Sequence, residues 1–513
     1  MTSTFHGLEV ARRALFTQQS ALHTTGHNIS NANTEGYSRQ RVNFEQTSPF
    51  PSPARNRPEM AGQMGTGVKA GEIQRVRDSF LDFQYRAENN KAGYWDSKAD
   101  ALSRMEDIMN EPSDSGLGRA MDQFWESVQD VATNPEDGGA RRVMQQRATA
   151  VTETFGHLNE KLTDVQGELK NQMETNADQV NTLLTQIQDL NDQIGRIEPN
   201  GYLPNDLYDQ RDVLVDELSQ FVNISVDYEA SGGNAKANAE GKIVIDLAND
   251  NGQPIDNAQL VNADNDIQGL EFQFDDANPA LVSGISVGEM DPETGDVAAA
   301  NTISAADFNS PGSLLGTMQS NGYINGDGEA EGEYVGMLND LDSLAYAFTQ
   351  EFNDQHQEGY DLEGNEGGNF FTDIGEENAA ANISVSENIL NNENLIALAS
   401  NPNAPGNGQN GLALAEVRNQ DNTIGDQSIQ KFYEGVIGGL GVVAEEANRM
   451  AKNTSDLRHS VNQNRESISG VSLDEEMSNM IKFQHAYNAA ARNMTVVDEM
   501  LDRIINQMGI VGR

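Results

Sequence analysis

The 513-residue chain has no cysteine, which removes disulfides, cysteine–zinc sites and thiol chemistry together. It is also poor in cations, with 33 Lys plus Arg against 80 Asp plus Glu and a formal charge of −47. That balance excludes most nucleic-acid binding, because a phosphate backbone needs basic partners. It likewise excludes attachment to anionic lipid through a basic surface. No run approaches the ~18 consecutive apolar residues of a membrane-spanning helix. The first residues, Met1 to Arg13, lack the short apolar core of a secretory signal. What remains is a large acidic soluble protein, cytoplasmic or exported without a cleaved signal. At ~100–200 residues per domain, its length suggests three or four domains.

The acidity is concentrated. Between Ile243 and Val417 there are 31 Asp and Glu and no Lys or Arg. Such a segment reads as a hydrated, self-repelling surface on an outward-facing domain. The alternative is cation binding through clusters such as Asp327-Gly-Glu329-Ala-Glu331-Gly-Glu333. No cluster has the Asp-x-Asx-x-Asx-Gly spacing with Glu at position 12 that a calcium loop requires. A saline or alkaline habitat also fits the composition.

Periodicity organises the rest. Leu8, Leu15, Leu22 and Ile29 recur every seven residues on a predicted helix from about Phe5 to Ile29, a narrow apolar stripe on a polar cylinder. At the other end Leu473, Met480, Tyr487, Met494, Leu501 and Met508 form a second ladder, with Phe483, Ala490, Val497 and Ile504 three residues on in each repeat. The two stripes suit either a hairpin between the chain ends or, as such long seams favour, packing against other copies. A third helix is predicted from Ala140 to Ile197, where steps of four and three are interrupted by a stutter at Met173. At ~1.5 Å per residue it is roughly 87 Å long, a rod rather than part of a sphere.

From Val222 the period changes to two, through Ile224, Val226 and Tyr228, then Ile243, Ile245 and Leu247, then Leu270, Phe272 and Phe274. Helical pattern returns at Tyr334 and again from Ile429 to Met450. The expected fold is multidomain and mainly α, with an inserted β-rich domain and a nested, out-and-back architecture. Residues 1–88 and 465–513 form a terminal coiled-coil-like axial core, 89–223 and 310–464 a long-helix rod, and 224–309 an acidic outer β-rich domain.

Chemistry is sparse. His23-x3-His27 places two imidazoles on one helical face, but no Glu lies between them as in His-Glu-x-x-His and no third ligand is evident. Gly62-x-x-Gly65-x-Gly67 lacks the order of a phosphate cradle, and no Gly-x-Ser-x-Gly elbow occurs. The sequence offers no catalytic, cofactor or metal-binding residues.

After the first helix comes Asn28-Ile-Ser-Asn31-Ala-Asn33-Thr-Glu-Gly36-Tyr37-Ser-Arg39. Asn and Gly suit the turn geometry that ends a helix and folds the chain back. This segment resembles the signature of the bacterial flagellar axial proteins, the rod, hook and hook-associated subunits. The following Gly65-Thr-Gly67-Val68, Ile73, Arg75, Asp78, Phe80-Leu81 and Gln84 are similar to that family too. Leu207-Tyr-Asp209-Gln-Arg211-Asp212, then Asn353-x-x-His356-x-x-Gly359 and Gly367-Gly-Asn-Phe370-Phe371, resemble its hook-associated branch. The likeness spans nearly the whole chain except about Ala230 to Asn309.

The resemblance implies a non-catalytic structural subunit of the extracellular flagellum, at the hook–filament junction. Its partners would be further copies in a ring or helical layer, the hook protein and a second junction protein. It also implies synthesis in the cytoplasm, a chaperone on the carboxyl-terminal helix and passage through the type III export apparatus. In such families the terminal helices are disordered in the monomer, since an isolated stripe has nothing to bury against. Another axial subunit, or a secreted acidic cation-binding protein, are the alternatives.

Overall fold

The computed structural model describes residues 5–52, 55, 62–109, 116–264, 266–291, 297–420, 424–425 and 427–507. Helix α1 (His6–Ser30) leads into a hairpin of β1 (Gln40–Gln46) and β2 (Val68–Arg75), paired antiparallel with a bulge at Asn43/Phe44. Then follow α2 (Ser79–Met109), α3 (Leu117–Thr133) and the 60-residue α4 (Gly138–Ile197). Asp137 caps α4 by accepting a hydrogen bond from the Gly139 N–H at 2.8 Å. A single 3₁₀ turn containing Pro199 ends it, and α5 (Asn205–Phe221) turns back along it.

The insert carries β3 (Ile224–Glu229), β4 (Lys242–Ala248) and β5 (Pro254–Val261) as one antiparallel sheet. A second sheet holds β6 (Gln268–Phe274), β7 (Val282–Met290) and β8 (Val297–Ser304). It is extended, beyond α6 (Ser313–Asn321), by β9 (Tyr323–Ile324) and β10 (Ala330–Glu331). The return path is α7 (Glu333–Gln357), the short α8 (Ala379–Asn382), α9 (Glu387–Asn391) and α10 (Gln409–Glu416), then α11 (Ile429–Ser469) and α12 (Leu473–Asp502). The expected boundaries at 88/89 and 464/465 fall inside α2 and α11, which pack on each other with Arg458 Nη1 donating to Asn89 Oδ1 at 3.2 Å.

Two hydrophobic cores share α4. Its first half, to Leu169, packs with α3, α7 and α11 around Phe124, Trp125, Phe155, Phe348 and Phe352. Its second half, from Met173, packs with α5, α6 and both sheets. Two asparagines on this half bind strands as a peptide group would. Asn181 pairs with both backbone groups of Leu270 at 3.0 and 2.8 Å, and Asn191 with those of Ile243 at 2.9 Å each. They satisfy strand backbone groups that would otherwise be buried without partners. The β-rich insert thus lies along the end of α4 nearest α5, and the helical core reaches furthest along it. The later part of the acidic segment, α7 to α10, packs in the helical core against the first half of α4.

The chain ends meet. α1 and α12 run antiparallel, with Gly7 against Val497 and Asn28 against Glu476. The stripe expected to lack a partner in the monomer finds one in the opposite terminus.

Ile187 is fully buried between α4 and the sheets. Ile187→Ala is expected to cost ~2–5 kcal/mol of unfolding free energy, measured by denaturant titration. A loss below about 0.5 kcal/mol would show that α4 does not anchor the insert.

Candidate assembly surface and its anchoring junction

In the axial pair, Leu8, Leu15, Leu22 and Ile29 are half-buried, as are Met480, Phe483, Tyr487, Met494, Val497 and Leu501. Ala490 is buried, and Phe483 meets Phe44 of β1 edge-on at 6.0 Å. Leu473 and Ile504, at the ends of the ladder, are exposed; Met508 lies outside the described residues. The seven-residue ladders thus face each other within one chain. The uncovered apolar side chains form a different set, which the heptad reading passed over: Met477, Ile481, Val496 and Met500 on α12, Phe16 on α1 and Phe5 just before it. Phe16 is 64% and Met500 58% exposed. Helical spacing on the far side of α12 was the available signal. By contrast, no described residue between Tyr228 and Leu390 is a large exposed hydrophobic.

The turn after α1 is built on Asn28. Its Nδ2 donates to the Gln40 carbonyl at 2.8 Å and to Glu476 at 3.1 Å. Its Oδ1 accepts from the Tyr37 hydroxyl at 2.8 Å and the Gln40 N–H at 3.0 Å. One side chain therefore joins α1, the turn, β1 and α12. Burial, reinforced by Asp206, Asp209 and Glu476, raises the Tyr37 pKa and keeps it protonated as the donor. Asn31 caps the helix through the His27 carbonyl at 3.1 Å, and Asn33 is exposed. Gly36 has φ +72°, and a Cβ there would lie 2.0 Å from the Val213 side chain of α5. His27 bonds to Tyr37 at 2.9 Å, and His23 is exposed. Among the described residues no group of three His, Asp or Glu is arranged to hold a metal ion.

Beneath the turn, Asp209, Asp212 and Asp216 lie along one face of α5. Arg75, the last residue of β2, donates to Asp209 at 2.6 Å and Asp212 at 2.9 Å, and also pairs with Glu240. Arg77 reaches Asp82 at 2.7 Å and Asp212 at 3.0 Å. Arg86 binds Asp216 at 2.8 Å, and Arg465 of α11 pairs with the same carboxylate. Arg211, wholly buried, donates to the Gly241 carbonyl at 2.8 Å and to Glu240 at 3.1 Å. Burial opposes ionisation of Asp212, but Arg77, Arg75, Arg86 and Arg211 outweigh it and hold its pKa well below the usual carboxylate range. At Asp209 burial prevails and raises the pKa, despite Arg75 and the Ser38 N–H. The motif residues Arg211 and Asp212 are thus part of the junction between axial pair, rod and insert.

The remaining motif forms a separate structural knot in the helical core. Asn353 Oδ1 accepts from the N–H groups of Phe370 and Phe371 at 2.9 Å each, and its Nδ2 donates to the Phe371 carbonyl at 3.0 Å. This plants both rings, fully buried, against Phe124 and Phe352. His356 Nε2 accepts from the Ala397 N–H at 2.8 Å, so Nδ1 carries the proton and donates to the Gly368 carbonyl at 2.6 Å. Gly359 has no room for a side chain, since a Cβ would lie 2.1 Å from Asn410 Nδ2.

The arrangement has no reactive constellation; it anchors a pair of terminal helices. Residues 102–371 match the family described as flagellar hook-associated protein FlgK helical domain. Residues 462–508 match the C-terminal region of flagellar basal body rod FlgEFG proteins, and 8–37 the flagella basal body rod protein family. Flagellar hook-associated protein 1 of Bacillus subtilis (strain 168) is 46% identical, with 100% of both chains covered. The chain belongs to the flagellar hook-associated protein 1 family. The Escherichia coli (strain K12) protein of that name is 24% identical, over 97% of this chain and 98% of its own. The solved structure described as the flagellar hook junction protein FlgK from Burkholderia pseudomallei superposes with a TM-score of 0.61 at 15% identity. It covers 75% of this chain and 100% of its own, and shares the fold. As a hook-associated protein, the molecule is a structural component of the flagellum and not an enzyme.

Asp212→Ala strips a buried carboxylate from three arginines and is expected to cost ~3–5 kcal/mol, read by denaturant titration; a loss under about 1 kcal/mol would show that the cluster is not coupled. Burial, aided by Arg141 and only partly opposed by the Gly368 carbonyl, pushes the His356 pKa down to about 4. The unfolded chain takes up this proton near pH ~6.5, so stability is complete above that value and declines as pH falls toward 4. The expected loss is on the order of 3 kcal/mol across the window. Thermal melts of the parent and His356→Gln between pH 7 and 5 check it: the parent should lose more stability than the variant as pH falls. Equal slopes would contradict the assignment.

Proposed function

We propose that the protein is a structural subunit of the hook–filament junction, forming a ring or short helical layer through its terminal helices. One observation carries the reading: the two chain ends form an amphipathic pair with an uncovered apolar stripe, on a molecule whose acidic interior sequence exposes almost none. The exposed pairs Met477/Ile481 and Val496/Met500 bury favourably against another protein surface. In this reading the heptad residues Leu8 to Ile29 and Met480 to Leu501 build the pair. The outward stripe then meets further copies, the hook protein and the second junction protein. The printed description of the Burkholderia structure as a hook junction protein supports the location. The match at 102–371 favours this over another axial subunit. Export through the type III apparatus, with a chaperone on α12, belongs to the same proposal; four methionines on that helix offer an adaptable surface for it.

Deleting the gene is expected to leave intact hooks without filaments and flagellin lost to the medium. Normal filaments would reject the location. Met500→Asp should retain the circular dichroism of the parent yet fail to restore filaments to the deletion strain. Filament counts equal to the parent would reject the outward stripe as the assembly surface.

A further inference from the structure

Two aromatic rings stand in solvent where the chain first enters the body. Phe80 and Phe83, in the first turns of α2, are 67% and 65% exposed, although Phe80 is part of the motif that follows the hairpin. The side of α2 that faces α11 is marked by Tyr85, whose ring lies 4.0 Å from the Arg465 guanidinium, and by Asn89, which Arg458 reaches at 3.2 Å. At ~100° per residue, Phe80 and Phe83 lie ~140° and ~160° round the helix from Tyr85. They face away from α11, the helix that leads into α12, so α12 of the same chain does not cover them. Asp78 completes the patch. Its Oδ1 accepts the Phe80 N–H at 3.0 Å and caps α2, and among the described residues it has no ion pair.

A matching surface lies on α12. Glu476, near its start, is held against α1 by Asn28 at 3.1 Å. Met477 and Ile481 sit ~100° and ~140° round from it and are exposed, as is His485 one turn further on. Spaced four residues apart, the three form one continuous stripe. Each surface is thus an apolar pair ended by one polar group, a carboxylate on α2 and an imidazole on α12. The two groups are complementary in charge and in hydrogen bonding.

Level and order agree as well. Arg39 ties both patches to one height: its carbonyl accepts from the Val76 N–H at 2.8 Å, and its guanidinium pairs with Glu476 at 2.8 Å. From there α2 runs into the body, while α12 leaves it and packs chiefly on α1. Read from the body toward the chain ends, one surface presents Phe83, Phe80 and Asp78, and the other Met477, Ile481 and His485. Phe83 follows Val76 by about two turns, so a neighbour shifted lengthwise by roughly 10 Å brings the two orders into register. The second exposed pair, Val496 and Met500, begins about 30 Å further along α12 and falls out of reach.

We propose that Phe80, Phe83 and Asp78 of one copy receive Met477, Ile481 and His485 of the next, in a head-to-tail contact. The inference rests on the proposed assembly through the chain ends and names the surface that one exposed pair of α12 meets. Because the two patches differ, the contact repeats from copy to copy instead of closing a dimer. The lengthwise shift makes the repeat a shallow helical layer.

The cysteine-free chain makes the test direct, and Gln84 and Ser478 are exposed beside the two patches. The full-length double variant Gln84→Cys with Ser478→Cys is expressed in a strain lacking the gene, and isolated flagella are treated with a short bismaleimide. The chain should run as covalent multimers larger than a dimer. Either substitution alone should leave monomers, as should Gln84→Cys with Thr495→Cys, beside the second pair. Monomers alone from flagella that contain the double variant overturn the contact. So do dimers from either single variant, which would mean a self-complementary surface, or multimers from the Thr495→Cys pair. A chain missing from isolated flagella overturns the assembly reading, and this contact with it. In a second arm, His485→Asp sets two carboxylates against each other and should lower filament counts about tenfold. Adding Asp78→Asn, which keeps the cap of α2, should restore them. Counts unchanged by His485→Asp, or not restored by Asp78→Asn, overturn the pairing.

Discussion

A buried exchange of charge holds the molecule together. Arg75, Arg77, Arg86, Arg211 and Arg465 stand among Asp82, Asp209, Asp212, Asp216 and Glu240. Every cation is Arg, whose planar fork engages two carboxylates at once where a lysine offers a point charge. Buried pairs of this kind contribute little net stability against an apolar substitute, but removing one member strands the rest. Their value here is specificity. The cluster gathers β2, α2, α5, α11 and the loop before β4, so the first hundred residues, the middle and the end of the chain are fixed in one arrangement.

Seen from this junction, the long helices divide the labour. α4 runs outward for some 90 Å at ~1.5 Å per residue, serving the sheets with its near half and the aromatic core with its far half. α2 and α11 accompany it out and back. The axial pair hangs on the opposite side. The formal charge of −47 sits mainly on the body, where it keeps copies from associating through the wrong surfaces. Exposed large hydrophobics stand on the chain ends and also on α2 and α11, at Phe80, Phe83, Val442 and Leu457.

Much of this was legible in the sequence, and the gaps are instructive. The ends of α4 lie within two residues of those read from its steps of three and four, because its buried face is mainly apolar. The first half of α2 left no such trace: the side it buries carries Asp82, Arg86, Asn89, Asn90 and Gly93, a polar face that reads as solvent-exposed until its ionic partners are known. α3 was legible, with Leu117, Met121, Phe124, Trp125 and Val128 at helical spacing, but was passed over. α11 runs to Ser469 rather than Met450, since its last turns are held largely by Arg458 and Arg465, with Val461 the one buried apolar residue there. The heptads of the two termini were visible, but a period cannot say which partner it faces. The choice between own chain and neighbour needed Asn28 and Glu476, residues 448 apart that share a hydrogen bond.

The central claim is that both chain ends form one cooperative unit anchored by the junction. Hydrogen exchange on the full-length monomer tests it most directly. Amides of α1 and α12 should open with a common free energy, and Ala21→Asp, which places a charge in the buried face of α1, should deprotect α12 while leaving α4 unchanged. Protection of α12 that survives the substitution would contradict the account.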